Sequence, residues 1–243
     1  MNDPVAQRPW LPYVAPMAIY LLFLQAQVIW PQRLPFWYPA KTVVVAATLW
    51  FFRKQYVELC WPFGCRGASV KRRTGADAEP AAHPSLLRTG SAAATAPLWE
   101  AVLVGLLAIV IWIAIDPFYP KLGTAALFDP TGRWLFLSFR IAGAVLVVPL
   151  MEELFWRAFL IRWLVNRDFQ SVPVGTFTGL SFVVTVALFG VEHTQWLAGL
   201  VCGVLYNWLY YRWRDLSICV VAHAVSNAAL AAWVLATGDW KFW

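Results

Sequence analysis

The chain has 243 residues, of which 60% are hydrophobic and only 13% are charged, and its formal net charge is +6. Soluble domains are about 45 to 50% apolar and about 25% charged, so this composition excludes an ordinary soluble domain and is typical of an integral membrane protein. The positive charge suits a surface that lies against anionic lipid headgroups, and we expect the bilayer, not a nucleic acid, as its partner.

Seven apolar runs have the length of a transmembrane helix, about 17 to 25 residues. The predicted fold is therefore an all-α, polytopic bundle of membrane helices, without a cleavable signal peptide. Six or eight spans are alternatives, because the second run is short and contains Lys41, and the fourth continues as a helical pattern to about Asn166. The runs fall at roughly 11–30, 36–52, 98–115, 134–156, 174–192, 195–211 and 216–236.

Basic residues indicate the orientation, because short cytoplasmic loops collect Lys and Arg. With seven alternating helices, thirteen of the 19 basic residues lie on one side and six on the other. We expect the richer side to be cytoplasmic, with the N-terminus inside and the C-terminus outside. The thirteen are Arg8, Arg53, Lys54, Arg66, Lys71, Arg72, Arg73, Arg88, Arg157, Arg162, Arg167, Arg212 and Arg214, and the six are Arg33, Lys41, Lys121, Arg133, Arg140 and Lys241.

Residues 53–97 divide the chain, because a basic cluster at Lys71 to Arg73 is followed by a stretch rich in Ala, Pro, Ser, Thr and Gly. This composition predicts a flexible cytoplasmic loop. It belongs to an N-terminal part, residues 1–97, with two helices. The C-terminal block, residues 98–243, holds the unusual polar residues and is the predicted functional core.

Two adjacent acids lie in the fourth run, where an ionisable group costs roughly 2.5 to 3.5 kcal/mol and is retained where it pairs or reacts. Glu153 and Arg157 share a helix face in the favourable order for an ion pair. Glu152 points about 100° away and has no local partner, which makes it the candidate general base. Alternatively, both acids only form caps or salt bridges at the interface. Pro149 lacks an N–H, so we expect it to kink the helix and free a carbonyl beside the acids.

Phe189 and His193 lie four residues apart at the end of the fifth run, so the phenyl ring can pack against the imidazole. If the preceding hairpin turns near residues 170–173, Glu152 and His193 each lie about 20 residues from the turn, at similar depth on antiparallel helices. The two side chains are then able to meet. A histidine that only hydrogen-bonds between helices is the alternative.

His223 and Asn227 form a second pair on one face, in the last run. Two convergent N–H donors in a dry pocket suit a developing oxyanion, whereas small neighbouring residues equally suit simple helix packing. Whether His223 lies at the same membrane depth as Glu152 is left open, since His223 lies only seven residues after the turn at Arg212 to Asp215. It reaches Glu152 only if the fourth helix projects past the bilayer at its basic end.

Signatures of other enzyme classes are missing: the sequence contains no G-x-S-x-G, H-E-x-x-H, H-x-x-E-H or nucleotide-binding glycine motif. Glu152 and Glu153 cannot both face one metal ion from adjacent helical positions, and we expect no metal or other cofactor. The cysteines have no zinc-finger spacing or catalytic partner, and we interpret them as structural. They are Cys60, Cys65, Cys202 and Cys219.

In this order on successive membrane helices, three motifs resemble those of the CPBP family (CAAX protease and bacteriocin-processing, or Abi) of glutamate-type intramembrane endopeptidases. The motifs are Glu152-Glu153-x-x-x-Arg157, Phe189-x-x-x-His193 and His223-x-x-x-Asn227, and the resemblance covers about 95 residues. The opening segment from Trp10 to Pro16 and the overall length also resemble a subgroup found beside bacterial exosortase protein-sorting systems.

The resemblance implies that Glu152 is the base that activates water, with His193 assisting. It further implies that His223 and Asn227 form the oxyanion site. The residues expected to support the site are Glu153, Arg157 and Phe189. The resemblance also implies that the protein lies in a bacterial inner membrane and hydrolyses a peptide bond near the C-terminus of a membrane-associated protein. A non-catalytic scaffold or immunity factor is the alternative, and a metal-dependent peptidase is a third option; the oligomeric state is not readable from the sequence.

Overall fold

A computed structural model describes residues 8–59, 96–123 and 132–242, and within these ranges the chain forms seven helices and no strand. This confirms the all-α prediction. The central part of the predicted flexible loop, with Lys71 to Arg73, Cys60 and Cys65, lies outside the described residues. The helices are α1 (Leu11–Ile29), α2 (Leu34–Phe52), α3 (Leu98–Ile115), α4 (Trp134–Val165), α5 (Gly179–Val191), α6 (Trp196–Trp213) and α7 (Leu216–Thr237).

Four of these helices, α1, α3, α4 and α7, are long and apolar enough to cross a membrane. Helix α5 is apolar but has only 13 residues, about 20 Å, which is less than the roughly 30 Å of a hydrocarbon core. It begins later than the predicted run at 174–192, because the Thr178 side chain accepts a hydrogen bond from the Ser181 N–H and caps the helix. Seven complete spans therefore stay a prediction.

One end of the bundle, called the Arg162 end below, is held by polar contacts between helices. The Tyr13 hydroxyl donates to Glu58 over 2.8 Å, and Arg162 forms a buried ion pair with the same carboxylate. Arg212 pairs with Glu100 at 2.9 Å. Half of the 14 basic residues that the structure describes lie here: Arg8, Arg53, Lys54, Arg162, Arg167, Arg212 and Arg214.

The opposite end, called the Asp116 end, is held by contacts among the loops that follow α3, α5 and α7. Asp116 pairs with Lys121 at 3.2 Å and with Lys241 at 3.3 Å. The Trp196 indole N–H donates to the Pro120 carbonyl over 2.9 Å. These contacts show that the start of α6 and the ends of α3 and α7 lie together.

Helix α4 is the central helix, and it is π-helical over Gly143–Val147. The Val148 N–H bonds to the carbonyl five residues earlier, so the next bond in this pattern requires an N–H at Pro149, which has none. The Ala144 carbonyl instead accepts a hydrogen bond of 2.8 Å from the Asn227 side chain of α7. The π-helical turn and the Ala144 contact lie beside Pro149, whereas the predicted kink with a freed carbonyl beside the acids stays a prediction.

Helix α7 packs against α3, α4 and α6. Gly105 of α3 permits a close approach to α7, because a Cβ at this position would collide with the Ala222 carbonyl oxygen of α7. The buried face of α7 is thereby pressed into the bundle beside the acidic segment of α4. This packing brings the motif with His223 and Asn227 close to the motif with Glu152 and Glu153.

Candidate active site

The centre of the site is the Glu153 carboxylate, which is fully buried. Its Oε1 atom lies 3.1 Å from Arg157 Nη1 and 3.0 Å from His223 Nδ1. The predicted ion pair between Glu153 and Arg157 is confirmed. Helix α4 continues past Glu153 to Val165, about 18 Å, and this projection lets His223 reach the acids from the start of α7. The histidine therefore binds the second acid and not the first.

Arg157 extends the contact into two further helices. Its Nε donates to Asn207 Oδ1 of α6 over 3.1 Å, and the Asn207 amide donates to Thr185 of α5 over 3.1 Å. The Thr185 hydroxyl then donates to the Ser181 carbonyl over 2.6 Å. The guanidinium also lies 4.7 Å from the ring centroid of Phe189. A single buried cation thus ties α4 to α5 and α6.

Glu152, next to this network, faces a different environment. It is 3% exposed and lines a cavity of about 190 Å³. His193, His223 and Asn227 line the same cavity. Among the described residues, Glu152 Oε2 and Glu153 Oε2 both lack a hydrogen-bond partner, but Glu153 has ion-pair partners at its Oε1 atom and Glu152 has none. The four residues predicted to be catalytic therefore share one space, and Glu152 is the acid left available within it.

The His193 ring is held in a defined tautomer by Phe189. His193 Nδ1 lies 2.7 Å from the Phe189 carbonyl, and because a carbonyl only accepts, Nδ1 carries the proton. In the neutral ring, Nε2 is then an acceptor. The imidazole also packs against the Phe189 ring at 4.9 Å, as the spacing predicts, and against Trp112 at 5.5 Å. The ring is fixed in the form that accepts a proton or a hydrogen bond.

The cavity extends from Glu152 toward the Asp116 end, since Gln195 and Phe242 contribute to its lining. On the other side of Glu153, toward the Arg162 end, apolar and aromatic side chains fill the interior. These fully buried residues are Ile161, Leu209, Tyr210 and Leu216. The cavity is therefore one-sided.

Residues 133–229 match the family described as type II CAAX prenyl endopeptidase Rce1-like. This part of the chain is similar to that family. The matched segment runs from the residue before α4 into α7 and contains all three motifs, so the resemblance stated from those motifs is confirmed for this segment. The exosortase-associated subgroup is not shown. No curated protein and no solved structure matches the chain. The family match and the long apolar helices point to an integral membrane protein.

The Rce1-like segment does not build the cavity alone. Tyr20 of α1 and Tyr38 of α2 line it as well, so the N-terminal helices take part, although they precede the matched residues. The division at residue 97 stays a prediction. Sequence reasoning missed both tyrosines because the chain has 8 Tyr, 16 Phe and 16 Trp, and no spacing distinguishes these two.

Tyr206 of α6 is a further residue that sequence reasoning missed. Its ring stacks on the His223 imidazole at 5.1 Å, with an angle of 25° between the planes. Its hydroxyl is hydrogen-bonded to Ser226, one turn further along α7. Tyr206 therefore holds His223 in the orientation that lets Nδ1 reach Glu153.

Charged residues of both signs act on Glu152. Glu192 and Glu153 repel a negative charge at Glu152, whereas Arg157 and Lys41 attract it. Glu192 and Lys41 are absent from the predicted site. A signal for each exists in the sequence: Glu192 directly precedes the histidine of the second motif, and Lys41 is the lone cation of the second apolar run.

Among the residues that the structure describes, no group of three or more His, Cys, Asp or Glu side chains is arranged to hold a metal ion. Both described cysteines are free and buried, and Cys202 contributes to the cavity lining. Their structural role stays a prediction. The groups placed for chemistry in the cavity are thus a carboxylate, two imidazoles and an amide.

Proposed function

We propose that this protein is an intramembrane endopeptidase in which Glu152 activates water to hydrolyse a peptide bond. One observation carries this proposal: Glu153 is occupied by Arg157 and His223, while Glu152 lies unpaired in the cavity beside His193. Two adjacent acids in a purely structural role would both be expected to have partners, because an unpaired buried carboxyl is costly. The family match supports a protease in general.

The proposed reaction begins with a water molecule between Glu152 and the His193 Nε2 atom. Glu152 accepts a proton from this water molecule, and the water oxygen attacks the carbonyl carbon of the scissile bond. The same proton then passes to the leaving amine when the C–N bond breaks, so the carboxylate is regenerated and no covalent intermediate forms. The low dielectric of the buried site strengthens each of these polar contacts.

His223 and Asn227 are the proposed donors to the tetrahedral oxyanion. His223 Nδ1 already donates to Glu153, so a donation from Nε2 to the oxyanion requires the doubly protonated ring. Asn227 uses one amide N–H for the Ala144 carbonyl. Its second N–H is available for the oxyanion, and the first contact fixes the direction of the amide.

The substrate we propose is a membrane-associated protein that is cut near its C-terminus. This follows the CAAX endopeptidase class that the family description names, and we propose no particular lipid on that substrate. The second candidate function is a non-catalytic scaffold or immunity factor. It is favoured by the helix-packing role that Asn227 plays through the Ala144 carbonyl. A metal-dependent peptidase, the third option, is tested by adding a chelator.

Replacing Glu152 by Gln tests the proposed base. We expect Glu152→Gln to lower turnover of a lipidated CAAX-ending peptide by at least about 10²-fold, because a positioned base is removed while the size is kept. The matched control is Glu100→Gln, a buried acid that pairs with Arg212 at the Arg162 end. The control is expected to keep its activity. A Glu152→Gln protein that cleaves at near wild-type rate would exclude the mechanism and favour the scaffold.

Replacing Asn227 by Ala separates the oxyanion role from helix packing. An oxyanion donor acts only in the transition state, so we expect Asn227→Ala to lower kcat by roughly 10²-fold with KM nearly unchanged. If the side chain served only the Ala144 contact, the loss would be about 0.6 kcal/mol of stability with activity kept. Turnover, KM and thermal unfolding measured on this variant decide between the roles, and an active but less stable protein refutes the oxyanion assignment.

We further propose that the Arg162 end lies in the cytoplasm, in accord with the excess of basic residues there. The Asp116 end then faces outside, and substrate enters the one-sided cavity from that face. Non-helical backbone between α5 and α6 at this end fits such a position, because irregular backbone at membrane depth is tolerated where it lines a polar cavity.

Two exposed arginines that flank α4, Arg133 and Arg167, offer a matched test of orientation. Each is replaced by Cys in a protein that lacks its native cysteines, and right-side-out membrane vesicles are treated with a membrane-impermeant maleimide. We expect Arg133→Cys to react in intact vesicles and Arg167→Cys to react only after permeabilisation. The reverse pattern would contradict both the orientation and the proposed side of substrate entry.

A further inference from the structure

Lys41 of α2 is a buried cation that the reaction proposed above does not use. It is only 3% exposed, and its Nζ atom lies 4.3 Å from the ring centroid of Tyr38 and 4.5 Å from that of Tyr20. In the described part of the chain, Lys41 forms no ion pair with a carboxylate. Burying an ammonium group without an ion pair costs several kcal/mol, so a partner for this charge is expected.

A second cation, on α4, also lies beside Tyr38. Arg140 of α4 is 9% exposed, and its guanidinium carbon lies 5.1 Å from the Tyr38 ring centroid. Lys41 and Arg140 thus place two positive charges around one tyrosine. A cation is attracted to the face of an aromatic ring. The cluster of Lys41, Arg140, Tyr20 and Tyr38 is therefore a positively charged, aromatic corner of the bundle.

This corner adjoins the catalytic cavity. Tyr20 and Tyr38 line that cavity together with Glu152, and they also line a smaller one of about 10 Å³ next to Lys41. The two tyrosines therefore separate Lys41 from the space in which Glu152 lies. A ligand in the cavity is able to contact the two tyrosines, with Lys41 on their other side.

We propose that the cluster of Lys41, Arg140, Tyr20 and Tyr38 binds the free carboxylate at the C-terminus of the substrate. This inference rests on the proposed function. An enzyme that cuts near a C-terminus inside a bilayer must bring the terminal carboxylate into a medium of low dielectric, where an unpaired charge is costly. Glu152 and Glu192 repel an anion in the cavity, whereas the positive charges of Lys41 and Arg140 attract one. Binding there sets the distance between the terminus and the scissile bond.

A different role for Lys41 predicts a different result. The Lys41 charge also attracts the charge of Glu152, and a lysine that served only this purpose would influence every substrate equally. A carboxylate subsite instead discriminates between substrates that differ only at the terminus. The two roles are separated by comparing one peptide in two forms.

The experiment uses a fluorescent, lipidated CAAX-ending peptide as the free acid and as the C-terminal amide. We expect wild-type protein to prefer the acid by about tenfold or more in kcat/KM, the effect of one charge-assisted hydrogen bond. Lys41→Met is expected to remove this preference by raising KM for the acid alone, and Lys41→Arg to retain it. The matched control is Lys121→Met, a lysine that pairs with Asp116 outside the cavity, which keeps the preference.

Binding of the two peptides to Glu152→Gln protein supplies a readout that does not need turnover. A lower dissociation constant for the acid than for the amide, lost in the Glu152→Gln, Lys41→Met double variant, supports the carboxylate subsite even if neither peptide is cleaved. Absence of cleavage by wild-type protein contradicts the proposed function instead. Equal affinity for acid and amide in folded protein overturns the subsite. An equal loss of kcat on both peptides in Lys41→Met also overturns the subsite, because it shows that Lys41 acts on Glu152 and not on the substrate terminus.

Discussion

The buried ion pair between Glu153 and Arg157 is the interaction on which the rest of the site depends. Removing two charges from water costs several kcal/mol for each, and this cost is offset only when the remaining polar atoms are also satisfied. Here His223 of α7 contacts the same Glu153 oxygen as Arg157, and Asn207 of α6 accepts from Arg157 Nε, while Glu153 Oε2 has no hydrogen-bond partner among the described residues. Each partner is on a different helix, so the requirement to satisfy one pair of charges fixes the relative positions of three helices.

The same pair explains why two adjacent acids have different roles. Successive residues on a helix point about 100° apart, so a contact that commits Glu153 to the interior of the network turns Glu152 toward the cavity. Pro149 and the neighbouring π-helical turn contribute by exposing the Ala144 carbonyl, which positions Asn227. The local irregularity of α4 and its buried ion pair thus arrange the proposed base and the proposed oxyanion donors around one space.

Contacts within one helix were predictable from the sequence, and contacts between distant helices were predictable only in part. The Glu153 to Arg157 pair and the packing of Phe189 on His193 follow from a spacing of four residues. The meeting of His223 with Glu153 did not follow, because it depends on how far α4 extends past the acids. The contributions of Tyr20, Tyr38 and Lys41 were missed for a related reason: nothing in an apolar helix specifies which aromatic or cationic residue will face a cavity formed by helices far along the chain.

A double-mutant cycle on the central pair tests the account most directly. Unfolding free energies are measured in detergent for the wild type, Glu153→Gln, Arg157→Met and the double variant. Each single change leaves a buried charge without its partner and is expected to cost about 3 to 5 kcal/mol, whereas the double change should cost at least about 1 kcal/mol less than the sum of the two. Costs that add within about 0.5 kcal/mol would contradict the claim that this ion pair organises the site.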